Sequence, residues 1–222
     1  MFNLVLKDFL LQKKITLFTI VYALFFTIIC CLNMANLDKL ALFPIFGIVF
    51  STYLSVFYMI GYEEKNKSLV MINSLPLERS QIVISKYISL IFFIIVNALT
   101  LYLPTFLLGV IFRNNQIYSL NYSILIVFIA ILLILFSIYY PLYFRYGYNT
   151  MRIFSFAIYI LAFTTPSFIQ KLIKNNNPLL HKLINYISVN PSKAIWITLI
   201  LSILIFIISL YVSIVIYKNK DV

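Results

Sequence analysis

Six long runs of apolar residues, separated by short polar segments, set the pattern of this chain. The runs cover residues 15–33, 40–62, 87–112, 120–144, 153–170 and 194–217. A helix needs about 20 apolar residues to cross about 30 Å of hydrocarbon. The runs are also too long and too continuously apolar for the strands of a membrane β-barrel, which alternate over about ten residues. The pattern predicts an all-α integral membrane protein with six transmembrane helices in a single domain, residues 1–222.

The segment before the first run has the periodicity of an amphipathic helix. Apolar residues recur at helical spacing with polar residues between them, and they are Phe2, Val5, Leu6, Phe9 and Leu10. This pattern predicts an N-terminal elbow helix that lies in the membrane interface and enters the first span. The alternative is a simple extension of the first transmembrane helix.

The polar segment between the second and third runs, residues 63–86, holds 7 of the 23 charged residues of the chain. Leu69, Ile72 and Leu75 lie on one face of a predicted short helix. Ser74 then caps a new helix with Pro76 in its first turn, and this helix continues into the third span. A small apolar face bordered by charges suits insertion into a groove on a soluble partner. The alternative is a solvated loop whose pattern is incidental.

Two further groups of residues are candidates for a functional role. A stripe of apolar residues follows the turn-like residues 175–178 in the fifth loop, and its members include Leu180, Leu183, Ile184 and Ile187. Asn97 and Thr100, one helical turn apart in the third run, are candidates for lining a lumen. Such polar groups also form hydrogen bonds between helices, and that interpretation is favoured.

Composition and charge agree with a membrane protein. The chain is 63% hydrophobic and 10% charged, with a formal net charge of +11. With both termini in the cytoplasm, eleven Lys and Arg residues lie inside and six lie outside, which agrees with the positive-inside rule. The net positive charge is explained by contact with the anionic headgroups of the lipid bilayer, so it does not call for a nucleic-acid partner.

Several function classes are disfavoured by what the runs lack. None of the six predicted spans contains Asp, Glu, Lys, Arg or His, whereas ion-coupled transporters place such groups at membrane depth. The same lack makes intramembrane hydrolysis improbable. The scattered glycines form no phosphate-binding GxxxxGK[ST] loop, so an ATP-driven process would need an ATP-binding domain on another subunit.

Three stretches carry a resemblance to a known family. They are MFNLVLKDFLLQKK at residues 1–14, EEKNKSLVMINSLPLERSQIVISKY at residues 63–87 and PLYFRYGYNTMR at residues 141–152. They resemble the ABC-2 type permease subunits of bacterial ABC exporters, and among these the small six-span permeases similar to those of the phenol-soluble-modulin exporter and of related peptide or antibiotic exporters.

The resemblance implies a mechanism and a set of partners. Two permeases, identical or paired with a sister, would form the translocation path in the bacterial cytoplasmic membrane on two ATP-binding subunits, which bind ATP and Mg; this chain itself holds no cofactor. Segment 63–79 would insert as the coupling helix beside the elbow helix, and the stripe in the fifth loop would help to close an external gate. The coupling residues implied are Glu63, Glu64, Lys67, Leu69, Ile72, Leu75, Pro76 and Arg79. The exported compounds would be amphipathic peptides, antibiotics or lipid-like molecules.

Three functions therefore compete at this stage. The first is a non-catalytic permease driven by a separate ATPase. The second is a membrane scaffold or regulatory subunit without a transport path. The third is a channel or an ATP-independent transporter, which would conduct in the absence of any partner.

Overall fold

The computed structural model of the chain describes residues 2–32, 42–68, 78–111, 122–154 and 191–220, and every regular element in these ranges is a helix. Six helices are long enough to label. They are α1 (Phe2–Leu11), α2 (Lys13–Leu32), α3 (Leu42–Lys65), α4 (Arg79–Ile111), α5 (Tyr122–Tyr146) and α6 (Pro191–Lys218). A further helical segment, residues 148–154, follows Gly147. The all-α prediction is confirmed for this part of the chain.

Three of these helices are long and apolar enough to cross a membrane. They cover Arg79–Pro104, Leu125–Tyr146 and Ser192–Lys218, and Ile15–Phe25 forms a shorter apolar helix. These spans agree with the third, fourth and sixth predicted runs, and α2 and α3 overlap the first and second. Most of the fifth predicted run, residues 153–170, lies outside the described residues, and so does the apolar stripe in the fifth loop.

A turn at Gln12 separates α1 from α2. The Gln12 amide donates to the Phe9 carbonyl at 3.0 Å, while the Gln12 carbonyl accepts from the amides of Ile15 and Thr16 at 2.8 and 2.9 Å. The Gln12 side chain is buried. The first apolar run is thus preceded by a distinct short helix.

Helix α4 is the centre of the described bundle, because it packs against each of the other five labelled helices. Its inward side chains, Tyr87, Leu90, Phe93 and Ile94, are almost completely buried. They meet apolar side chains of α3, such as Met59, and of α5 and α6. The most extensive contact between two helices in this part of the chain joins α5 to α6.

The start of α4 differs from its prediction. The pattern predicted a helix capped by Ser74 with Pro76 in the first turn, but Glu78 is still outside the helix, which begins at Arg79. The Glu78 carbonyl accepts from the Gln81 amide at 2.9 Å, and the Glu78 carboxylate accepts from the Ser80 hydroxyl at 3.0 Å. Glu78 therefore takes the capping position that the prediction gave to Ser74.

A buried polar network joins α4 to α5 and α6. The Tyr87 hydroxyl lies 2.7 Å from Ser209 Oγ and 2.8 Å from Ser213 Oγ, and Ser209 donates to the Ser137 carbonyl at 2.6 Å. The Tyr140 hydroxyl donates to the Lys86 carbonyl at 3.2 Å. Since a polar group that is buried without a partner is costly, these bonds fix the rotation of α6 against α4.

We predict that Tyr87→Phe lowers the free energy of unfolding by about 1–2 kcal/mol, because it removes the bond to Ser213 and one of the two bonds of Ser209. Thermal unfolding of the purified chain in mild detergent measures this loss. Tyr58→Phe on the exposed surface of α3 is the matched control. Equal stability of the Tyr87→Phe variant and the unaltered chain would contradict the prediction.

Candidate functional site

Lys86 carries a charge into the interior of the bundle, where only 2% of the residue is exposed. Its ammonium group donates to Glu63 Oε1 at 2.6 Å and to Asp8 Oδ1 and Oδ2 at 3.1 and 3.2 Å. Met59 Sδ lies 3.9 Å away on the same side. One side chain of α4 thus binds the end of α3 and the middle of α1.

Two other residues complete this arrangement. The Lys7 ammonium donates to Glu63 Oε1 at 2.5 Å and lies 3.5 Å from Asp8 Oδ1. Ser89, also on α4, donates to Asp8 Oδ2 at 2.9 Å. Lys7, Asp8, Glu63 and Lys86 are called the charged cluster below. Two ammonium groups face two carboxylates, so the cluster is electrically neutral when all four are ionised.

The two carboxylates of the charged cluster have different environments. Burial favours the neutral form of Glu63, but the ammonium groups of Lys86 and Lys7 outweigh it and hold the pKa of Glu63 below its ordinary value. Burial raises the pKa of Asp8; Lys86 offsets only part of that rise, and the Glu63 carboxylate adds to it. The ammonium groups of both lysines also lie closer to the Glu63 carboxylate than to the Asp8 carboxylate, which agrees with the lowered pKa of Glu63 and the raised pKa of Asp8. Glu63 is therefore the principal counter-ion of Lys86.

The local sequence explains how the charged cluster forms. Glu63 lies in the last turn of α3, directly after an apolar stretch, and Lys86 lies two turns into α4. Asp8 is on the inner side of α1 and is 1% exposed, while Leu6 and Leu10 on the same helix are 44% and 62% exposed. Helix α1 thus directs its acid into the protein and much of its apolar surface outward.

The predicted coupling residues fall into two groups. Glu63, Glu64, Lys67 and Arg79 lie in the described residues, whereas Leu69, Ile72, Leu75 and Pro76 lie outside them. Glu63 is completely buried, and the other three are exposed. Lys67 has a positive φ of 49°, and its amide donates to the Glu64 carbonyl at 3.1 Å, so the chain turns there at the end of α3.

The residues predicted for the elbow helix lie in α1. Val5 is half-buried, Leu6 and Phe9 are exposed, and Phe2 is the first residue of the helix. The Phe9 ring contacts Phe92 of α4 edge to face, with 4.9 Å between ring centroids. The position of α1 in a membrane interface remains a prediction.

The candidate lumen residues lie between α3 and α4. Asn97 is 1% exposed, and its Nδ2 lies 3.4 Å from both Thr52 Oγ1 and Ser55 Oγ. The Thr100 hydroxyl donates to the Asn97 carbonyl at 2.9 Å. In the monomer these groups thus bond within and between helices. The residues predicted for the external gate, Leu180, Leu183, Ile184 and Ile187, lie outside the described residues.

The pairing of Asp8 with Lys86 was not predicted. Asp8 is one of the polar residues between the apolar positions of the predicted elbow helix, and Lys86 directly precedes the third predicted span. A signal was present, since Asp8 and Glu63 are among only 6 acidic residues in the chain and each flanks an apolar segment close to a lysine. The pairing across 78 residues depends on tertiary structure, which residue spacing alone does not supply.

The charged cluster is suited to holding helices together, because each of its bonds to Lys86 crosses from one element to another. Removing two charges from water costs several kcal/mol per ion, and the bonds among the four groups must recover it. The cluster therefore holds only when α1, the end of α3 and the start of α4 keep their relative positions. Through Glu63 and Lys86, the charged cluster joins the end of α3 to the start of α4, which flank residues 69–77.

Comparison with known protein families identifies this chain's family. A family model described as "ABC-2 family transporter protein" matches residues 3–218, which is almost the whole chain. No curated protein and no solved structure matches the chain.

We predict that Lys86→Met destabilises the chain by about 3–5 kcal/mol, because Asp8 and Glu63 then face each other in the interior with only Lys7 beside them. Lys65→Met, which removes the same charge from an exposed position near the end of α3, should have little effect. Thermal unfolding in detergent compares the two variants. Similar losses in both would show that the buried pairing contributes little.

The opposite pKa shifts predict opposite pH dependence for two neutralised carboxylates. Glu63→Gln should be less stable than the unaltered chain near neutral pH, and the gap should narrow as the pH falls through the lowered pKa of Glu63. Asp8→Asn should lose less stability than Glu63→Gln near neutral pH, because it removes the cost of an ionised Asp8 above its raised pKa along with the bonds to Lys86 and Ser89. That relief should vanish at lower pH, where Asp8 is protonated. Unfolding temperatures at about pH 7.5, about pH 5 and about pH 3 measure both trends, because the gap for Glu63→Gln closes only below the ordinary pKa of a glutamate. A larger loss in Asp8→Asn than in Glu63→Gln at neutral pH would reverse the assignment of the principal counter-ion.

Proposed function

This chain belongs to the ABC-2 transporter family, and we propose that it is the permease subunit of an ABC exporter, coupled to a separate ATP-binding subunit through residues 63–79. In this proposal both termini and the charged cluster lie on the cytoplasmic side. ATP and Mg bind to the partner, and this chain supplies the membrane path and performs no catalysis.

The observation that carries the proposal is the position of the charged cluster. Glu63 is the first residue of the segment assigned to coupling, Lys86 follows that segment, and the Lys86 ammonium group lies 2.6 Å from Glu63 Oε1. Both are bound to α1 through Lys7 and Asp8. A partner that pushes on the intervening segment therefore pushes on α3, α4 and α1 together, rather than on a free loop.

Such a connection is what a driven conformational change needs. To convert a population of 1:99 into 99:1 takes about 5.5 kcal/mol of differential interaction between the two states. A flexible loop would absorb much of that energy by local rearrangement. A segment attached at both ends to packed helices passes the force to α4, which contacts every other labelled helix.

The translocation path itself is proposed to form between two copies of the permease, or between this chain and a sister. The outward faces of α2 and α6 carry many large apolar side chains, among them Phe18, Val21, Ile207 and Tyr211. Lipid or a second permease would cover them equally well. The high content of Tyr and Phe, 17 and 21 residues, supports amphipathic peptides, antibiotics or lipid-like molecules as substrates.

We predict that a P-loop ATPase is recovered when the tagged chain is extracted from its native membrane in mild detergent. A variant with Leu69, Ile72 and Leu75 all changed to Asp should lose that ATPase, because three charges would replace the apolar face that is proposed to insert into it. Mass spectrometry of the purified complexes identifies and quantifies the partner.

The control variant places the same three charges in the same segment at polar positions, with Asn66, Asn73 and Ser74 changed to Asp. It should keep the ATPase. Absence of an ATPase from the unaltered chain would remove the energy source and favour the scaffold or the channel. Loss from both variants would show that added charge, rather than the apolar face, disrupts binding.

A further inference from the structure

Arg79, the first residue of α4, donates its hydrogen bonds within the protein. Its Nη1 group donates to the carbonyl of Lys218 at 3.0 Å and to the carbonyl of Lys220 at 2.6 Å. Lys218 ends α6 and Lys220 follows it. Arg79 thus binds the carboxyl end of α6 from a distance of 139 residues along the chain.

Lys220 extends this connection to a third helix. Its ammonium group donates to the carbonyl of Phe144 at 3.0 Å, in the last turn of α5. Arg79, residues 218–220 and Phe144 are called the basic clasp below. It consists of two cationic side chains and three backbone carbonyls, and it joins the start of α4 to the ends of α5 and α6.

The basic clasp satisfies a general need of helix ends. The last four carbonyls of a helix have no partner within the helix, and that end carries a partial negative charge. Cationic side chains near a helix C-terminus bond these carbonyls and complement that charge. Arg79 does so for α6 and Lys220 does so for α5, so each basic side chain has a binding role within the fold.

We infer that Arg79 is a positioning residue of the coupling step. Its side chain transmits a displacement of the segment before α4 to α5 and α6, and it does not itself bind the ATPase. The inference rests on the proposed function, in which residues 63–79 couple to that partner. It also changes the role that the family resemblance implied for Arg79, since the side chain faces two carbonyls of this chain.

The geometry indicates why arginine suits this position. A guanidinium group is planar and presents several donors in a fixed arrangement, so it can hold two neighbouring carbonyls at once. Because the acceptors are backbone atoms, a displacement of Arg79 acts on the path of the chain after α6. The Lys220 side chain then links that path to Phe144.

A stability cycle on the isolated chain tests whether the basic clasp is one unit. Arg79→Gln and Lys220→Met should each lower the unfolding temperature by about 2–4 °C, the shift expected when one hydrogen-bonded cap is lost from a chain of this size. The double variant should lose no more than the worse single variant, because either change releases residues 218–220. Lys220→Arg should restore most of the loss.

This cycle needs no partner, so it tests whether the basic clasp is one unit even if the proposed ATPase is not found. Lys65→Gln, an exposed charge removal near the end of α3, is the control and should leave the unfolding temperature unchanged. Additive losses of unfolding temperature in the double variant, or no loss in either single variant, would show that the basic clasp is not one unit.

A labelling experiment on the purified complex with its ATPase tests transmission. Asn149→Cys, in a background with Cys30 and Cys31 changed to Ala, places one thiol beside a cavity of about 290 Å³ that Lys220 and Phe144 also line. Its reaction rate with a maleimide should differ between nucleotide-free and ATP-bound complexes. Arg79→Gln should keep the ATPase bound but abolish that difference. Lys193→Gln, an exposed charge removal at the start of α6 and outside the coupling segment, should preserve both.

Two results would overturn the inference about transmission. Loss of the ATPase from Arg79→Gln, with stability unchanged, would make Arg79 a direct contact with the partner. A labelling rate at Asn149→Cys that does not respond to ATP, in a complex that still hydrolyses ATP, would show that movement does not reach the end of α5.

Discussion

The pairing of Lys86 with two carboxylates is the interaction on which the described structure most depends. The ammonium group of Lys86, a residue that is 2% exposed, needs counter-charges within hydrogen-bonding distance, since burying a charge costs several kcal/mol, a large part of the stability of a typical folded chain. Glu63 and Asp8 lie on different helices, so the requirement of one side chain fixes three elements. Around α4 the other contacts are apolar side chains, which direct the helices less specifically, and neutral hydrogen bonds such as those of Tyr87.

This requirement explains the unusual arrangement of α1. In water, an amphipathic helix buries its apolar side and exposes its charged side. Here Asp8 is buried while Leu6, Phe9 and Leu10 are exposed. Such a helix suits a position where its protein side is polar and its outer side meets hydrocarbon. Asp8 then has a raised pKa because the same arrangement removes it from water.

The periodicity of apolar residues was sufficient to predict the helices, because their positions depend on the local pattern: α1, α2, α3, α5 and α6 all overlap predicted elements. The start of α4 was predicted too early, since Glu78 lies outside the helix, which begins at Arg79. The partners of Lys86 and Arg79 could not be predicted, because they lie between 23 and 141 residues away along the chain. Residue types indicated that these groups need partners, and only the fold identifies them.

Two side chains in the first turns of α4 attach this helix to its neighbours. Arg79 binds the ends of α5 and α6 through backbone carbonyls, and Lys86, seven residues later and about 10 Å along the helix axis, binds α1 and α3 through carboxylates. The two attachments respond differently to conditions, because backbone carbonyls do not titrate whereas Asp8 and Glu63 do. Loss of the charged cluster would leave α1 and α3 attached to α4 only by contacts such as Phe9 with Phe92 and Asn97 with Thr52. Helices α5 and α6 would stay joined to α4, since they are also held through Tyr87. The helices that contact α4 thus include two groups, α1 with α3 and α5 with α6. A relative movement of these groups would change the contacts on the side of α4 that carries Lys86.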